Sequence, residues 1–325
     1  MVFKIRINTT FFENILIFVL VYFLSSILLS YYTQGDQIHY NKFYDYVQLN
    51  IATESIHKLY ESMYSFIRAK EPVYFAVVYL AVCLGLSKIF VMSVANGLLA
   101  IFTYTYLQCK GWYKIYSFLI VTLSYYFIVL YTGAERLKFG FLFGILSLLL
   151  YNRAKIKLSY LCVLLSVLSH FSMVLLYVAI FIYMYDFKKN ISKQIQKCII
   201  ITFILVLLFF VFKDIICSKL ASYINTVNVS DLIKSVIVSL LAIFFSNGTR
   251  KLNIWLVFLF FILAVFVLGN RVFMFEVFFL VYFMLARNNS VLSKNNLVFL
   301  ILLGILLVKG VLFIYNIFFF GSGFI

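Results

Sequence analysis

The chain has 325 residues, of which 65% are hydrophobic, 20% aromatic and only 12% charged, and its formal net charge is +16. That balance excludes a water-soluble core; apolar runs approaching the roughly 20 residues of a helical span indicate an all-α polytopic membrane protein. The positive excess would suit nucleic acid, yet Lys and Arg gather in short connections between apolar runs, where they set orientation, so no nucleic-acid partner is expected.

In chain order, Lys4 and Arg6 precede an apolar run from about Ile15 to Tyr32. The run is long for a secretory signal and no small-x-small cleavage site follows it, so the expectation is an uncleaved first span. Predicted spans fall at roughly 14–32, 89–109, 115–132, 137–151, 158–169, 170–185, 198–212, 234–247, 254–268, 272–286 and 297–319, about eleven in a single membrane domain covering 1–325. Basic connections lie between them: Lys110 and Lys114; Arg153, Lys155 and Lys157; Lys188, Lys189, Lys193 and Lys197; Arg250 and Lys251; Arg287 and Lys294. Placing these and the N-terminus in the cytoplasm satisfies the positive-inside rule.

Parity then makes loop 33–70 periplasmic, together with a smaller loop 213–233. Two apolar runs, 72–87 and 89–109, remain where only one crossing fits. The first opens at Pro72, the only proline, and ends in Gly85-Leu86-Ser87-Lys88, which predicts a re-entrant or interfacial helix. The stretch 158–185 is expected to break at Ser169-His170-Phe171-Ser172, keeping both flanking basic loops inside. Within 33–70, Ile56, Leu59, Tyr60, Met63, Tyr64 and Ile67 recur at helical spacing against Glu54, His57, Lys58, Glu61 and Arg68. That pattern predicts an amphipathic helix over about 54–68, lying on the membrane surface.

Charges at span ends are costly unless used or paired, so they mark the places for chemistry. Arg136, in Thr132-Gly133-Ala134-Glu135-Arg136, and Arg271, in Gly269-Asn270-Arg271, both fall at expected periplasmic ends. A guanidinium fork captures phosphate in bidentate fashion and stays charged. Two of them converging would clamp a diphosphate and stabilise the charge that grows as its glycosidic bond breaks. The alternatives are a headgroup anchor, or for Arg136 an ion pair with Glu135. His170, the only histidine in the apolar region, suits proton transfer or anion binding, against a plain helix-end role. Asp36, just after the first span, is expected to be the general base ahead of His170, since a histidine between two arginines could instead bind phosphate, although a Gly-Asp turn is an ordinary loop feature. Tyr40, Tyr44, Tyr46 and Tyr74 could stack on sugar rings, although an interfacial aromatic belt is the commoner use, and Glu71 is either a substrate contact or a charge favouring a helix start. Glu276 and Lys309, inside spans, are expected to form a buried structural pair with each other, or Glu276 with Arg271. The five cysteines show no CxxC or Cys/His spacing, so neither a disulfide framework, a metal nor another cofactor is expected. Walker, HExxH, GxSxG and Rossmann patterns are missing from the sequence.

The ordered set Gly35-Asp36 with Tyr40 and Tyr44, Glu71-Pro72, Arg136 at a turn, a basic loop, His170-Phe171-Ser172 and a late Arg271 resembles the EpsG/Wzy group of bacterial polysaccharide polymerases over about 35–275. It departs at one point: Leu137 follows Arg136 where the family commonly has glutamine, and Gly140 stands at the small position. The resemblance implies an O-antigen polymerase of the bacterial inner membrane with a GT-C-like fold and an outward-facing site. Such a hexosyltransferase-type enzyme of lipopolysaccharide biosynthesis moves the growing glycan from undecaprenyl diphosphate onto a new lipid-linked repeat unit. Its partners would be the lipid-linked oligosaccharide donor and acceptor and the bilayer, with a chain-length regulator as a further candidate. In that reading Asp36 and His170 are catalytic, Arg136 and Arg271 bind diphosphate, and Tyr40, Tyr44 and Glu71 contact substrate. An O-antigen ligase would bring a larger late periplasmic loop. A flippase or other transporter would show repeated halves or paired broken helices, and a membrane acyltransferase its own His/Arg motifs near the first spans.

Overall fold

The computed structural model describes residues 9–184, 229–245, 251–268, 271–284 and 294–324. Among the described residues the secondary structure is helical, without a strand. The helices are α1 (Thr9–Tyr31), α2 (Asp36–Asn50), α3 (Ile56–Ile67), α4 (Pro72–Cys83), α5 (Lys88–Cys109), α6 (Lys114–Leu123), α7 (Tyr125–Thr132), α8 (Glu135–Asn152), α9 (Ile156–Ser169) and α10 (Met173–Met184). There follow α11 (Val229–Phe245), α12 (Lys251–Leu268), α13 (Arg271–Phe279), a π-helical turn over Leu280–Met284, and α14 (Lys294–Phe320).

Three stretches among the described residues, Phe11–Tyr31, Lys88–Cys109 and Leu300–Phe320, are long and apolar enough to cross a membrane. The bent pair α6–α7 makes up to four. The helices α4 and α10 have 12 residues each, a rise of about 18 Å. That is short of the roughly 30 Å of a hydrocarbon core. The expected span 198–212 and most of loop 213–233 lie outside the described residues; the last residues of that loop, from Val229, are already helical.

One predicted span is not continuous. The segment 115–132 bends by 43° between α6 and α7, where Ser124 takes an extended conformation (φ −71°, ψ 140°). The groups released by the break find local partners: the Tyr131 hydroxyl donates to the Val121 carbonyl, and Ser124 Oγ donates to Ile120 O at 2.7 Å. Gly310 on α14 lies against the break, so closely that a Cβ there would sit 2.0 Å from the Leu123 carbonyl oxygen. No proline or glycine occurs at the break itself, which is why periodicity reads it as one helix.

The chain divides into two compact units. One comprises Met1–Met173, Arg287–Val291 and Phe299–Ile325; the other Val174–Ala286 and Leu292–Val298. In the first unit α1 packs along α5, and a polar stitch crosses their middle. Asn96 Nδ2 donates to Ser25 Oγ at 2.6 Å and to Tyr131 O at 2.9 Å, and Ser25 donates to Ser93 at 3.2 Å. Interhelical hydrogen bonds of this kind hold spans together where apolar burial gives no preference for protein over lipid.

The helices α8 and α9 form a close hairpin. Ser166 Oγ on α9 donates to Gly140 O at 2.6 Å, and a Cβ on Gly140 would lie 2.7 Å from Cγ of Met173, the first residue of α10. In the second unit Phe258, Phe261 and Phe279 form an aromatic cluster, and Asn253 Nδ2 donates to Ile182 O and Tyr183 O at the end of α10, groups that a helix terminus leaves unpaired. Glu276 is fully buried and accepts from Ser235. Lys309 is exposed, so the buried Glu276–Lys309 pair expected from the sequence is not present.

Candidate functional site

Glu71 immediately precedes Pro72 and has the extended backbone (φ −85°, ψ 113°) that a following proline favours. Its carbonyl accepts from Phe75 N–H, but its carboxylate makes no bond to the start of α4. The carboxylate spans two other segments instead. One oxygen, Oε2, accepts from Arg136 Nη1 at 2.7 Å, and the other, Oε1, lies 3.1 Å from His170 Nδ1. Glu71 is 0% exposed and His170 9%.

The three residues arrive from unrelated parts of the chain. Arg136 is the second residue of α8, at the positive end of the helix dipole, where a cation needs a counter-charge. His170 ends α9 in extended conformation (φ −161°, ψ 113°). Its N–H donates to Ser166 O and its carbonyl accepts from Met173 N–H, so the turn between α9 and α10 satisfies itself and leaves the ring to the cluster. The stretch expected to break at His170 thus ends one helix at Ser169 and starts the next at Met173.

Tyr40 from α2 completes this layer. Its hydroxyl accepts from Arg136 Nε at 3.2 Å. Burial raises the phenol above its ordinary value against the opposing pull of Arg136, so the hydroxyl stays neutral at physiological pH.

A second layer lies directly along the chain from the first. Glu135, also 0% exposed, is 2.9 Å from Lys88 Nζ and accepts from Gln37 Nε2 at 2.8 Å and Tyr74 OH at 2.9 Å. Lys88 in turn donates to Gln37 Oε1 at 2.7 Å and Asn41 Oδ1 at 2.6 Å, and sits 5.6 Å from the Tyr40 ring centroid. Gln37 also donates to the Thr132 carbonyl at the end of α7. Lys138, fully buried, donates to Tyr131 O at 3.1 Å. Buried charges that are paired and hydrogen-bonded on every side are held in fixed places. The layer therefore ties α2, α4, α5, α7 and α8 together behind Arg136.

Arg136, Glu71, Tyr40 and His170, each singled out in the sequence, meet in one cluster. Arg136 pairs with Glu71 and Glu135 with Lys88, in place of a neighbouring Glu135–Arg136 pair. Asp36 stands on the surface at the first residue of α2; its charge reaches the Tyr40 phenol, but the carboxylate that meets Arg136 and His170 is that of Glu71. Tyr44 is buried and its hydroxyl donates to the Leu86 carbonyl, clasping α2 to the α4–α5 turn; burial raises its phenol too. Arg271 begins α13, and its side chain lies outside the described residues. Tyr74, a candidate for sugar stacking, instead donates to Glu135, and Gln37, Lys88, Glu135 and Lys138 were not singled out as site residues. The signal that could have found them is the density of charge in Glu135-Arg136-Leu137-Lys138 at the head of an apolar helix.

Among the described residues no group of three or more His, Cys, Asp and Glu side chains is arranged to hold a metal ion. The cluster instead sets two carboxylates against Arg136 and Lys88, with His170 able to add a further positive charge. Such a site can receive an anion at Arg136 and exchange a proton at His170. No family model matches the chain, and no curated protein or solved structure matches it either.

Proposed function

We propose that this chain is a glycosyltransferase of the bacterial inner membrane that polymerises lipid-linked repeat units at the outward face, as its resemblance to the EpsG/Wzy group implies. One observation carries the reading: Glu71, Arg136 and His170, separated by 65 and 99 positions along the chain, converge in a buried cluster at the ends of apolar helices. An intramembrane cluster of ionisable groups is expensive and marks a site of use. An always-charged guanidinium next to a proton-exchanging imidazole suits loss of a diphosphate from a sugar.

In this reaction Arg136 holds the undecaprenyl diphosphate of the growing chain. His170 takes the proton from an acceptor sugar hydroxyl. That oxygen bonds to the donor's anomeric carbon as the bond from the anomeric carbon to the diphosphate oxygen breaks, the electron pair leaving with the diphosphate. The imidazolium then returns its proton to the departing diphosphate or to water. His170 is favoured over Asp36 as the base because it shares the cluster with Arg136, while Asp36 is on the surface. About eleven spans, a re-entrant α4 and a GT-C-like layout belong to the same proposal.

The lipopolysaccharide ladder of a strain lacking the gene tests it. Lipid-A core capped with one repeat unit is the expected result. Uncapped core with accumulated polymer would assign the chain to ligation, and loss of both would assign it to export.

A further inference from the structure

We infer that Glu71 is a positioning residue, linking diphosphate capture at Arg136 to proton abstraction at His170 through one shared carboxylate; this rests on the proposed function. The geometry decides which ring nitrogen must carry a proton towards Glu71. An ionised carboxylate only accepts hydrogen bonds, so the 3.1 Å contact from His170 Nδ1 to Glu71 Oε1 requires the proton to be on Nδ1. The neutral ring then carries its lone pair on Nε2, the nitrogen that abstracts a proton. A carboxylate on the far side of a histidine holds the ring in one tautomer and stabilises the imidazolium that forms.

The other oxygen is committed to Arg136 at 2.7 Å. Glu71 is completely buried and its backbone is pinned before Pro72, so it cannot serve one partner independently of the other. A donor diphosphate that engages Arg136 competes for the same guanidinium hydrogens. As it does so, Arg136 draws less on the carboxylate's charge and more of it is left to His170, which strengthens the Nδ1–H···O bond when the donor is in place. Glu71 therefore need not touch sugar, and its substitution should lower turnover without weakening donor binding.

The test is nitrogen NMR of the purified full chain in lipid nanodiscs, labelled at histidine. The sequence has three histidines. His39 and His57 are exposed, so Asn substitutions at both isolate the His170 signals. In the wild-type background the expected spectrum is a single tautomer protonated on Nδ1, shifted by saturating inorganic pyrophosphate. Glu71→Gln is expected to give mixed tautomers and to abolish the pyrophosphate shift. Tyr40→Phe, which removes the Arg136 Nε partner and leaves the Glu71–His170 contact, is expected to retain the single tautomer. In cells Glu71→Gln should lower polymer output about 10–100-fold, the range seen when a residue supporting a functional histidine is lost.

An Nε2-protonated ring in the wild type would overturn the inference even if Glu71→Gln failed to fold. A Glu71→Gln spectrum and pyrophosphate response equal to wild type would overturn it as well. The spectroscopic result requires no polymerisation, so it separates failure of this linkage from failure of the glycosyltransferase reading, which the strain's ladder decides.

Discussion

The two buried carboxylates of the cluster, Glu71 and Glu135, meet different partners, and substitutions around them should separate stability from activity. Glu135 meets Lys88, Gln37 and Tyr74 and joins helices that otherwise have little polar reason to stay in register. Removing one member of a buried ion pair leaves the other charge uncompensated, at a cost of about 3–5 kcal/mol. Glu135→Ala should therefore lose most folded protein, seen as a lower midpoint in detergent denaturation. Lys88→Met with Glu135→Leu, which removes both charges, should recover much of that loss. At Arg136 the outcome reverses. Arg136→Lys keeps a charge but not the fork that reaches Glu71 and Tyr40 together, so a normal folded yield with strongly reduced polymer length is expected in immunoblots and glycan gels.

Residue identity was readable where one charge interrupts an apolar pattern, as at Arg136 and His170. Pairing was not. That Glu135 would turn to Lys88 rather than to its neighbour depends on where α2, α5 and α8 meet, and no periodicity in the chain encodes that meeting.

Among the elements, two glycines report how tightly the helices near the site and near the bend are packed. At Gly140 the obstacle to a Cβ is the end of a flexible methionine, Met173 Cγ at 2.7 Å. At Gly310 it is backbone, the Leu123 carbonyl at 2.0 Å. Gly140→Ala should thus be mild, since Met173 can change rotamer. Gly310→Ala should cost about 1–3 kcal/mol or more, the range for overpacking, because the α6–α7 break cannot retreat without losing its hydrogen bonds. Denaturation midpoints of the two variants decide this, and equal midpoints would contradict the packing argument. A larger residue, Gly140→Ile, should force α8 from Met173 at the start of α10 and so part Arg136 from His170; pairing it with Met173→Ala should restore part of the lost polymer.

The long apolar helices α1, α5 and α14 were legible from length and composition, since a run of that size admits little else. The end of α9 at His170 was legible because a polar Ser-His-Phe-Ser turn interrupts a long apolar run. The bend at Ser124 was not. A lone serine is common within helices, and what holds the bend is Gly310, far away in sequence.

For the whole molecule, the charge distribution makes a prediction about sides. Basic connections such as 153–157 belong inside and the loop carrying α2 and α3 outside. In a chain stripped of its native cysteines, a cysteine at position 39 should react with an impermeant maleimide in intact cells, and one at position 153 only after the membrane is opened. The reverse pattern would place the Glu71–Arg136–His170 cluster on the cytoplasmic side, away from lipid-linked repeat units.

The most direct measurement is the glycan ladder of a strain whose only copy carries Arg136→Ala, with membrane insertion checked by immunoblot. Loss of the guanidinium proposed to hold the leaving diphosphate should reduce polymerisation at least about 100-fold, collapsing the ladder to core bearing a single repeat unit. A ladder of wild-type length from correctly inserted Arg136→Ala protein would contradict diphosphate capture at this cluster.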